Sequence, residues 1–507
     1  MKILNDKIFG LLIFSVLAIG CESFLEEEVR GIIDPSTFYQ SDEEAVLAVN
    51  GIYLNLRQNG FYGNWQGIHT FTQLGADVLE SSRQFGGNEP MQNYTLTQSN
   101  YSNARQLWQL IYRMIGDANS VITNIENSPN ISAAVKDQSI GEALYLRSYA
   151  YYHLSNLWGD VPYYDEEIPI ADAASLGRTP VNEIRSNLIS DLTRIETENL
   201  LPEIYGESDL GRPTVWAAKI LLAKIYLWQE DWANAREECL EIINNSPHQL
   251  LPDYGDVFDV NNPFNDEIIW AIDFQKDVPG NAQDRTDGFN PRLRDEPRNP
   301  ADRGPLSDAL AARNEEFNGY GLTVPILSFI NEFPVDDLRR PHNILGEYLG
   351  FELTFQYMAK FTNFDFVNSP RGNHGEATLV FRLADVYLML AEAENELNGP
   401  GNAYQYINAV RERAYEPDQP YSGLTQAELR SAIQTERKWE LAGEGHRRYD
   451  LIRWGILLET VKNAEYRTYD PGSNIQPHHI KLPIPEEELV LNPALLDSDP
   501  TNNGYGN

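Results

Sequence analysis

Two segments of the chain carry the pattern of a helix, a short turn and a second helix. In residues 214–245, small and apolar residues recur at helical spacing until a break at 230–231. Residues 382–414 repeat the plan, and the Gly-Pro-Gly turn at 399–401 separates their two helices, because neither residue favours a helix interior. Paired amphipathic helices bury their apolar faces against each other. The chain is therefore expected to be mainly α-helical.

Further helices are predicted before residue 250. A serine cap at Ser41 precedes one of them, and apolar spacing predicts two more over 101–126 and 139–158. Small residues where the helices cross, with aromatic residues at their ends, resemble tetratricopeptide-type helix pairs. We expect about four such pairs, which form a scaffold over about 41–250 and 375–460.

The segment between the two scaffold parts has a different character. Residues 266–274 predict a strand, whereas residues 276–305 are polar, rich in proline and glycine, and without apolar periodicity. Long loops on a rigid scaffold are often binding elements. We therefore expect one domain over 41–507, with an irregular, loop-rich ligand-binding insertion over about 250–375, a few short strands, and a C-terminal strand and turn over 470–507.

The N-terminus has the features of an export signal. Ile8 to Ile19 form an apolar run of about 12 residues, which is too short to span a bilayer but suits a signal peptide. With Gly20 before Cys21, this start resembles a bacterial lipoprotein signal, in which residues 1–20 are removed and Cys21 is lipidated. The acidic tether over 21–40 resembles a cell-surface signal of the Bacteroidetes. The alternative is an ordinary secretory signal with an incidental cysteine.

The charge balance narrows the classes of ligand. The 507 residues include 75 acidic and 39 basic residues, for a formal net charge of −36. Such a chain repels a phosphate backbone and anionic lipid surfaces, so no nucleic-acid partner is expected. Neutral ligands, cations and basic proteins remain open.

The sequence contains no HExxH, CxxC, P-loop or GxSxG motif. We therefore predict no catalytic residue, no metal and no cofactor. A glycosidase carboxylate pair cannot be picked out among so many acidic residues. Cys239 lies in an amphipathic helical pattern and is predicted to pack between helices.

Aromatic residues beside acids, amides and arginines in irregular segments are the chemistry that binds sugars. The C–H face of a pyranose packs on an aromatic ring, while polar side chains hydrogen-bond the hydroxyl groups. The alternative for each single aromatic residue is packing within its loop. The candidate ligand-binding residues, chosen by composition and position, are Tyr62, Trp65, Asp77, Arg83, Tyr320 and Arg371.

Six sequence blocks stand out between Cys21 and Pro493. They are "CESFLEEEV", "EALYLRSYAYYHLSNLWGDVPYY", "RPTVWAAKILLAKIYLW", "FRLADVYLMLAEAENELNG", "ERKWELAGEGHRRYDLIRWG" and "KLPIPEEELVLNP". Together, and in this order, they resemble the SusD/RagB family of nutrient-binding outer-membrane lipoproteins. Charges three or four residues apart in the fifth block predict a structural network of ion pairs along a helix.

The resemblance implies a SusD-like fold of tetratricopeptide-like helix pairs that support an irregular ligand-binding subdomain. It also implies a non-enzymatic lid, lipid-anchored at the outer face of the outer membrane, on a SusC-like TonB-dependent transporter. Such a lid captures an oligosaccharide or polysaccharide and delivers it to the transporter. The alternatives are a peptide-binding protein of the same architecture, a protein–protein adaptor, and a glycoside hydrolase.

Overall fold

The computed structural model describes most of the chain. The ranges described are residues 38–82, 88–278, 280–293, 296, 298–313, 319–362 and 370–506. The predictions made for the signal peptide, for Cys21 and for Arg83 lie outside these ranges. Within them, no helix is both long enough and apolar enough to cross a bilayer.

The helices before residue 250 build one half of the scaffold. They are α1 Asp42–Arg57, α2 Ile68–Gln73, α3 Glu89–Gln92, α4 Ser102–Asn127, α5 Ala133–Trp158, α6 Ile170–Ala173, α7 Val181–Thr197, α8 Val215–Trp228 and α9 Trp232–Asn245. The predicted cap is present, since the Ser41 side chain accepts a hydrogen bond from the N–H of Glu44. Helix α5 ends at Trp158 and is followed by Gly159, whose positive φ of 78° is a conformation that glycine tolerates.

The helices after residue 250 are shorter on average. They are α10 Arg285–Phe289, α11 Arg303–Ala312, α12 Leu327–Glu332, α13 Arg340–Asn343, α14 Leu383–Asn398, α15 Pro400–Glu412, α16 Gln426–Glu440, α17 Arg447–Arg453, α18 Leu457–Asn463 and α19 Glu486–Leu491. The long helices pack as consecutive pairs, α4 with α5, α8 with α9, and α14 with α15. Helix α9 also packs on α14, which joins the two scaffold parts. The mainly helical prediction is confirmed.

Six short strands form three two-stranded antiparallel sheets in the part of the chain that the structure describes. The strands are β1 Leu79–Ser81, β2 Ile268–Ile272, β3 Thr323–Pro325, β4 Leu345–Tyr348, β5 Phe351–Tyr357 and β6 Thr378–Arg382. Strand β2 confirms the strand predicted at 266–274. Strand β1 pairs with β3, Glu80 opposite Val324, so the insertion is hydrogen-bonded to the N-terminal segment.

The tryptophan and cysteine side chains identify the core. Trp158, Trp216 and Trp270 are buried in the largest apolar cluster, which spans the helices and the β2–β6 sheet. Cys239 is fully buried in the same cluster, which confirms its prediction as a packing residue. Burial also raises the pKa of its thiol well above the usual value.

Two local predictions were wrong. Residues 276–305 are not one loop, because they contain α10 and the start of α11. These helices are too short, and too interrupted by proline and glycine, to show a helical period. The C-terminal segment from 470 to 506 contains 3₁₀ turns and α19 instead of the predicted strand. Pro483 and Pro485 lack the N–H groups that a ladder needs, which explains the difference.

The charged block "ERKWELAGEGHRRYDLIRWG" forms an ion-pair network, as predicted. Asp450 pairs with Arg453, three residues further on, at 2.9 Å, but Glu440 and Glu444 pair with other segments. Glu440 is fully buried and binds three arginines from other segments, Arg339, Arg382 and Arg413, at 2.6–2.8 Å. Glu444 binds Arg382 at 2.6 Å. These pairs join distant parts of the chain instead of neighbouring helical turns, because the charges face the interior.

Candidate functional site

Three of the predicted ligand-binding residues converge on one patch. The ring centroids of Trp65 and Tyr320 lie 6.3 Å apart with their planes tilted by 52°. The guanidinium of Arg371 lies 4.5 Å above the centre of the Tyr320 ring, within cation–π range. Arg371 is exposed, Tyr320 is half-buried, and Trp65 keeps 9% of its surface exposed. We call Trp65, Tyr320 and Arg371 the aromatic platform.

Helix α10 and the residue before it hold Trp65. The Asp284 carboxylate accepts a hydrogen bond from the Trp65 N–H at 3.3 Å, and the Asp284 N–H donates to the Gly63 carbonyl at 3.0 Å. A Cβ atom at Gly288 would lie 2.5 Å from the Cβ of Trp65. Only glycine therefore fits at this position of α10 without a shift of Trp65.

The same helix holds Tyr320. The Tyr320 N–H donates to the Asp287 carbonyl at 2.6 Å, and the N–H of Leu322 donates to the Gly288 carbonyl at 2.8 Å. The chain then enters β3, which pairs with β1. The Tyr320 ring is thus placed by backbone bonds on both sides of its attachment point.

Helix α10 also fixes the segment that carries Arg371. The N–H of Gly372 donates to Asp287 Oδ2 at 2.8 Å, and His374 Nε2 lies 2.9 Å from Asp287 Oδ1. The backbones of Gln283 and His374 exchange two hydrogen bonds, at 2.9 and 3.1 Å. All three platform residues are therefore attached to one short stretch, residues 283–288.

Two ionisable groups beneath the platform have shifted pKa values. The pKa of Asp284 is raised to about 6. Burial is the main cause, and the nearby charge of Asp287 acts in the same direction. Burial opposes the charge of His374, but the hydrogen bond to Asp287 and attraction from Asp287 and Glu376 outweigh it and raise the pKa of His374 to about 9. At neutral pH the base of the platform therefore holds an imidazolium between carboxylates.

The other predicted residues have structural partners. Tyr62 is buried, and its hydroxyl hydrogen-bonds the Tyr149 hydroxyl in the core. The Asp77 carboxylate binds Arg447 through two hydrogen bonds, at 2.7 and 2.8 Å. The structure does not bring Tyr62 or Asp77 to the platform, and Arg83 lies outside the described residues.

The residues that support the platform were missed by sequence reasoning. Asp284, Asp287 and Gly288 lie in the stretch "DRTDGF", and His374 lies in "RGNHGE". The grouping of acids with a glycine in an apparent loop was the one available signal, and it is common in ordinary turns. Among the residues that the structure describes, no group of three or more His, Cys, Asp or Glu side chains is placed to hold a metal ion.

The platform has the chemistry of a sugar-contacting surface. Aromatic rings pack against C–H groups, and the guanidinium over the Tyr320 ring supplies hydrogen-bond donors. A held aromatic pair loses little side-chain freedom when a ligand binds.

Family models match both ends of the chain. The SusD family model matches residues 349–505, and a model described as starch-binding associating with outer membrane matches residues 35–227. SusD-like protein P25 of Formosa agariphila is 46% identical, and the alignment covers 100% of both chains.

Solved structures of similar fold include two glycan-binding proteins. A laminarin binding SusD-like protein has a TM-score of 0.74 at 24% identity, over 90% of this chain and 98% of that one. Surface glycan-binding protein A from Bacteroides thetaiotaomicron, in complex with laminarihexaose, has a TM-score of 0.73 at 21% identity, over 91% of this chain and 100% of that one. The resemblance found in the six sequence blocks is confirmed, and the chain belongs to the SusD family.

Proposed function

We propose that this protein is a non-enzymatic, cell-surface lipoprotein that captures an oligosaccharide or polysaccharide on the aromatic platform. The observation that carries the proposal is the convergence of Trp65, Tyr320 and Arg371 on residues 283–288. Two tilted rings and an exposed guanidinium offer stacking and hydrogen bonding in one place. The glycan ligands named for the two similar structures support the same class of ligand.

The cellular setting is part of the proposal. Cys21 carries the lipid anchor, and residues 22–40 act as a tether at the outer membrane. The protein passes its glycan to a SusC-like TonB-dependent transporter, on which it sits as a lid. Family membership supports this setting, as does the description of the family model that matches residues 35–227.

The glycan proposal is tested by affinity electrophoresis of residues 22–507 in gels that contain laminarin, starch or other polysaccharides. The variants are Tyr320→Ala and Arg371→Ala. Their matched controls are Tyr226→Ala, a half-buried tyrosine on α8, and Arg105→Ala, an arginine on α4 whose side chain is 42% exposed. We expect one polysaccharide to retard the wild-type protein and both controls. Loss of a stacked ring costs about 1 kcal/mol or more, so Tyr320→Ala should run with little retardation.

Three outcomes contradict the proposal in different ways. Equal retardation of Tyr320→Ala and wild type would move the site away from the platform. Release of reducing sugar would favour the glycoside hydrolase alternative. Binding to a peptide library, with no retardation by any polysaccharide, would favour the peptide-binding alternative.

The anchor is tested separately in cells. Labelling with palmitate and exposure to added protease should both require Cys21. A Cys21→Ala variant that still takes up label, or that stays surface-bound, would overturn the lipoprotein part of the proposal. Co-purification of a TonB-dependent transporter with the membrane-extracted protein tests the lid.

A further inference from the structure

His374 lies three residues beyond Arg371 and hydrogen-bonds Asp287 on α10. The side chain is 2% exposed. Its Nε2 atom lies 2.9 Å from Asp287 Oδ1, and its Nδ1 atom lies 3.7 Å from Glu376 Oε1. The first contact is a hydrogen bond, and the second is an ion-pair distance too long for one. One imidazole therefore stands between two buried carboxylates.

The two carboxylates belong to the two segments that His374 joins. Asp287 lies on α10. Its carbonyl accepts a hydrogen bond from the Tyr320 N–H, and its carboxylate accepts one from the Gly372 N–H. Glu376 accepts hydrogen bonds from Gln283 Nε2 at 3.1 Å and from Thr286 Oγ1 at 3.2 Å. The segment that carries Arg371 is thus bound to residues 283–287 through Gly372, His374 and Glu376.

The buried carboxylates around His374 depend on its positive charge for compensation. Asp287 and Glu376 face its two ring nitrogens, and Asp284 interacts with it electrostatically. Arg285, itself 6% exposed, is the further cation that acts on Glu376. Without a proton on His374, Asp287 and Glu376 would lose the positive charge that faces both of them. Carboxylates buried without a compensating cation are strongly disfavoured.

We propose that His374 is a positioning residue of the platform. As an imidazolium, it holds the Arg371 segment against α10, and loss of its proton loosens that segment and separates Arg371 from Tyr320. The glycan-binding consequence rests on the function proposed above, but the positioning itself belongs to the ligand-free protein.

The direction of the pH effect follows from the folded and unfolded pKa values. The pKa of His374 is about 9 in the folded protein and about 6.5 in an unfolded chain. A group with a raised folded pKa stabilises most below its unfolded value. The stability that the His374 charge contributes should therefore be greatest below about pH 6.5, fall between about 6.5 and 9, and be lost above about 9.

Hydrogen–deuterium exchange of the ligand-free protein tests the positioning role. Peptides from residues 281–290 and 370–377 are followed at pH 7.0 and 9.5, with rates corrected for intrinsic exchange. We expect amide protection in both peptides to fall at least tenfold between the two pH values. The His374→Gln variant should show the low protection at both pH values, whereas the control His478→Gln should behave as wild type.

A second variant keeps the test decisive if His374→Gln fails to fold. Asp287→Asn removes one of the two facing charges, so it should lower the pH at which protection is lost. Wild-type protection that does not change between pH 7.0 and 9.5 would overturn the proposal. So would a folded His374→Gln protein that keeps wild-type protection.

The binding assay separates this proposal from the glycan proposal. If a polysaccharide retards the protein at pH 7.0, this retardation should be lost as the pH rises, at the same midpoint pH as amide protection. Loss of protection without any polysaccharide binding would support His374 and contradict the glycan function. Binding that is independent of pH, with protection that falls, would show that the platform is not the binding surface.

Discussion

Arg382 offers a quantitative test of the buried ion network. This fully buried arginine, at the end of β6, donates five hydrogen bonds at 2.6–2.9 Å, to Glu267, to Glu444 twice, and to the carboxylate and the carbonyl of Glu440. The substitution Arg382→Met introduces an apolar side chain of similar length and removes the charge. Removing one partner from a buried ion pair costs about 3–5 kcal/mol, because the remaining charge is left without compensation.

The remaining cations set the expected size of the loss. Arg413 still binds Glu267 and Glu440, and Lys360 still binds Glu444 at 2.8 Å. We therefore expect the lower end of the range, about 3 kcal/mol in the free energy of unfolding at pH 7.5. Urea unfolding followed by circular dichroism and by tryptophan fluorescence measures it. Coincident curves from the two probes would establish that one transition is being compared.

Acidification gives a second arm of the same test. Burial alone would raise the pKa of Glu444, but Arg382 and Lys360 lower it below its usual value. The stability that comes from a lowered carboxylate pKa is present at neutral pH and is lost as the pH falls. Acidification should therefore lower the free energy of unfolding more in the wild-type protein than in Arg382→Met. The difference in stability between the two proteins should shrink.

The matched control is Arg105→Met. Arg105 binds Glu487 at 2.8 Å, but the two side chains are 42% and 55% exposed. An exposed pair contributes about 0–1 kcal/mol, so this variant should unfold close to wild type. A loss below about 1 kcal/mol for Arg382→Met, or equal losses for the two variants, would refute the argument that burial makes these charges interdependent.

Three further predictions concern single contacts. Gly288→Ala should weaken polysaccharide retardation, because its methyl group would lie 2.5 Å from the Cβ of Trp65, whereas Gly304→Ala, which has open space on α11, should not. Asp284→Asn should raise the melting temperature at pH 7.5 and have little effect near pH 4, because the pKa of about 6 means that burial disfavours the ionised form at neutral pH. A higher melting temperature at both pH values would point to a cause other than charge. Cys239 should not react with a thiol reagent until the protein unfolds, since its thiol is fully buried with a raised pKa; labelling of the native protein would contradict this placement.

The long helices could be predicted because apolar residues recur at helical spacing along each of them. The helix predicted over 139–158 is observed as Ala133–Trp158, and the break predicted at 230–231 falls between α8 and α9. The extra first turns of α5, residues 133–138, are exposed or half-buried and show no regular apolar spacing, so no period marks them. Helix α10 has five residues, which is too few for any period to show.

The candidate site could be predicted in part, since composition identifies residue types but not their partners. Trp65, Tyr320 and Arg371 share the platform. Tyr62 and Asp77 were chosen by the same composition and position in irregular segments, but they have partners elsewhere. Tyr62 is held by Tyr149, and Asp77 by Arg447, which is far along the chain. Local sequence does not contain these pairings, because they arise when α5 and α17 pack on the N-terminal segment.

The short helix α10 has a thermodynamic consequence for recognition. Trp65, Tyr320 and Arg371 come from three distant chain segments, yet Trp65, Tyr320 and Gly372, the neighbour of Arg371, are each hydrogen-bonded to residues 283–288 before any ligand arrives. The conformational entropy of arranging them is lost during folding and not again during association. Rigid ligands should therefore bind with a small entropic penalty. Segments outside these anchors can vary in sequence, so a new ligand preference can evolve while α10 keeps the platform in place.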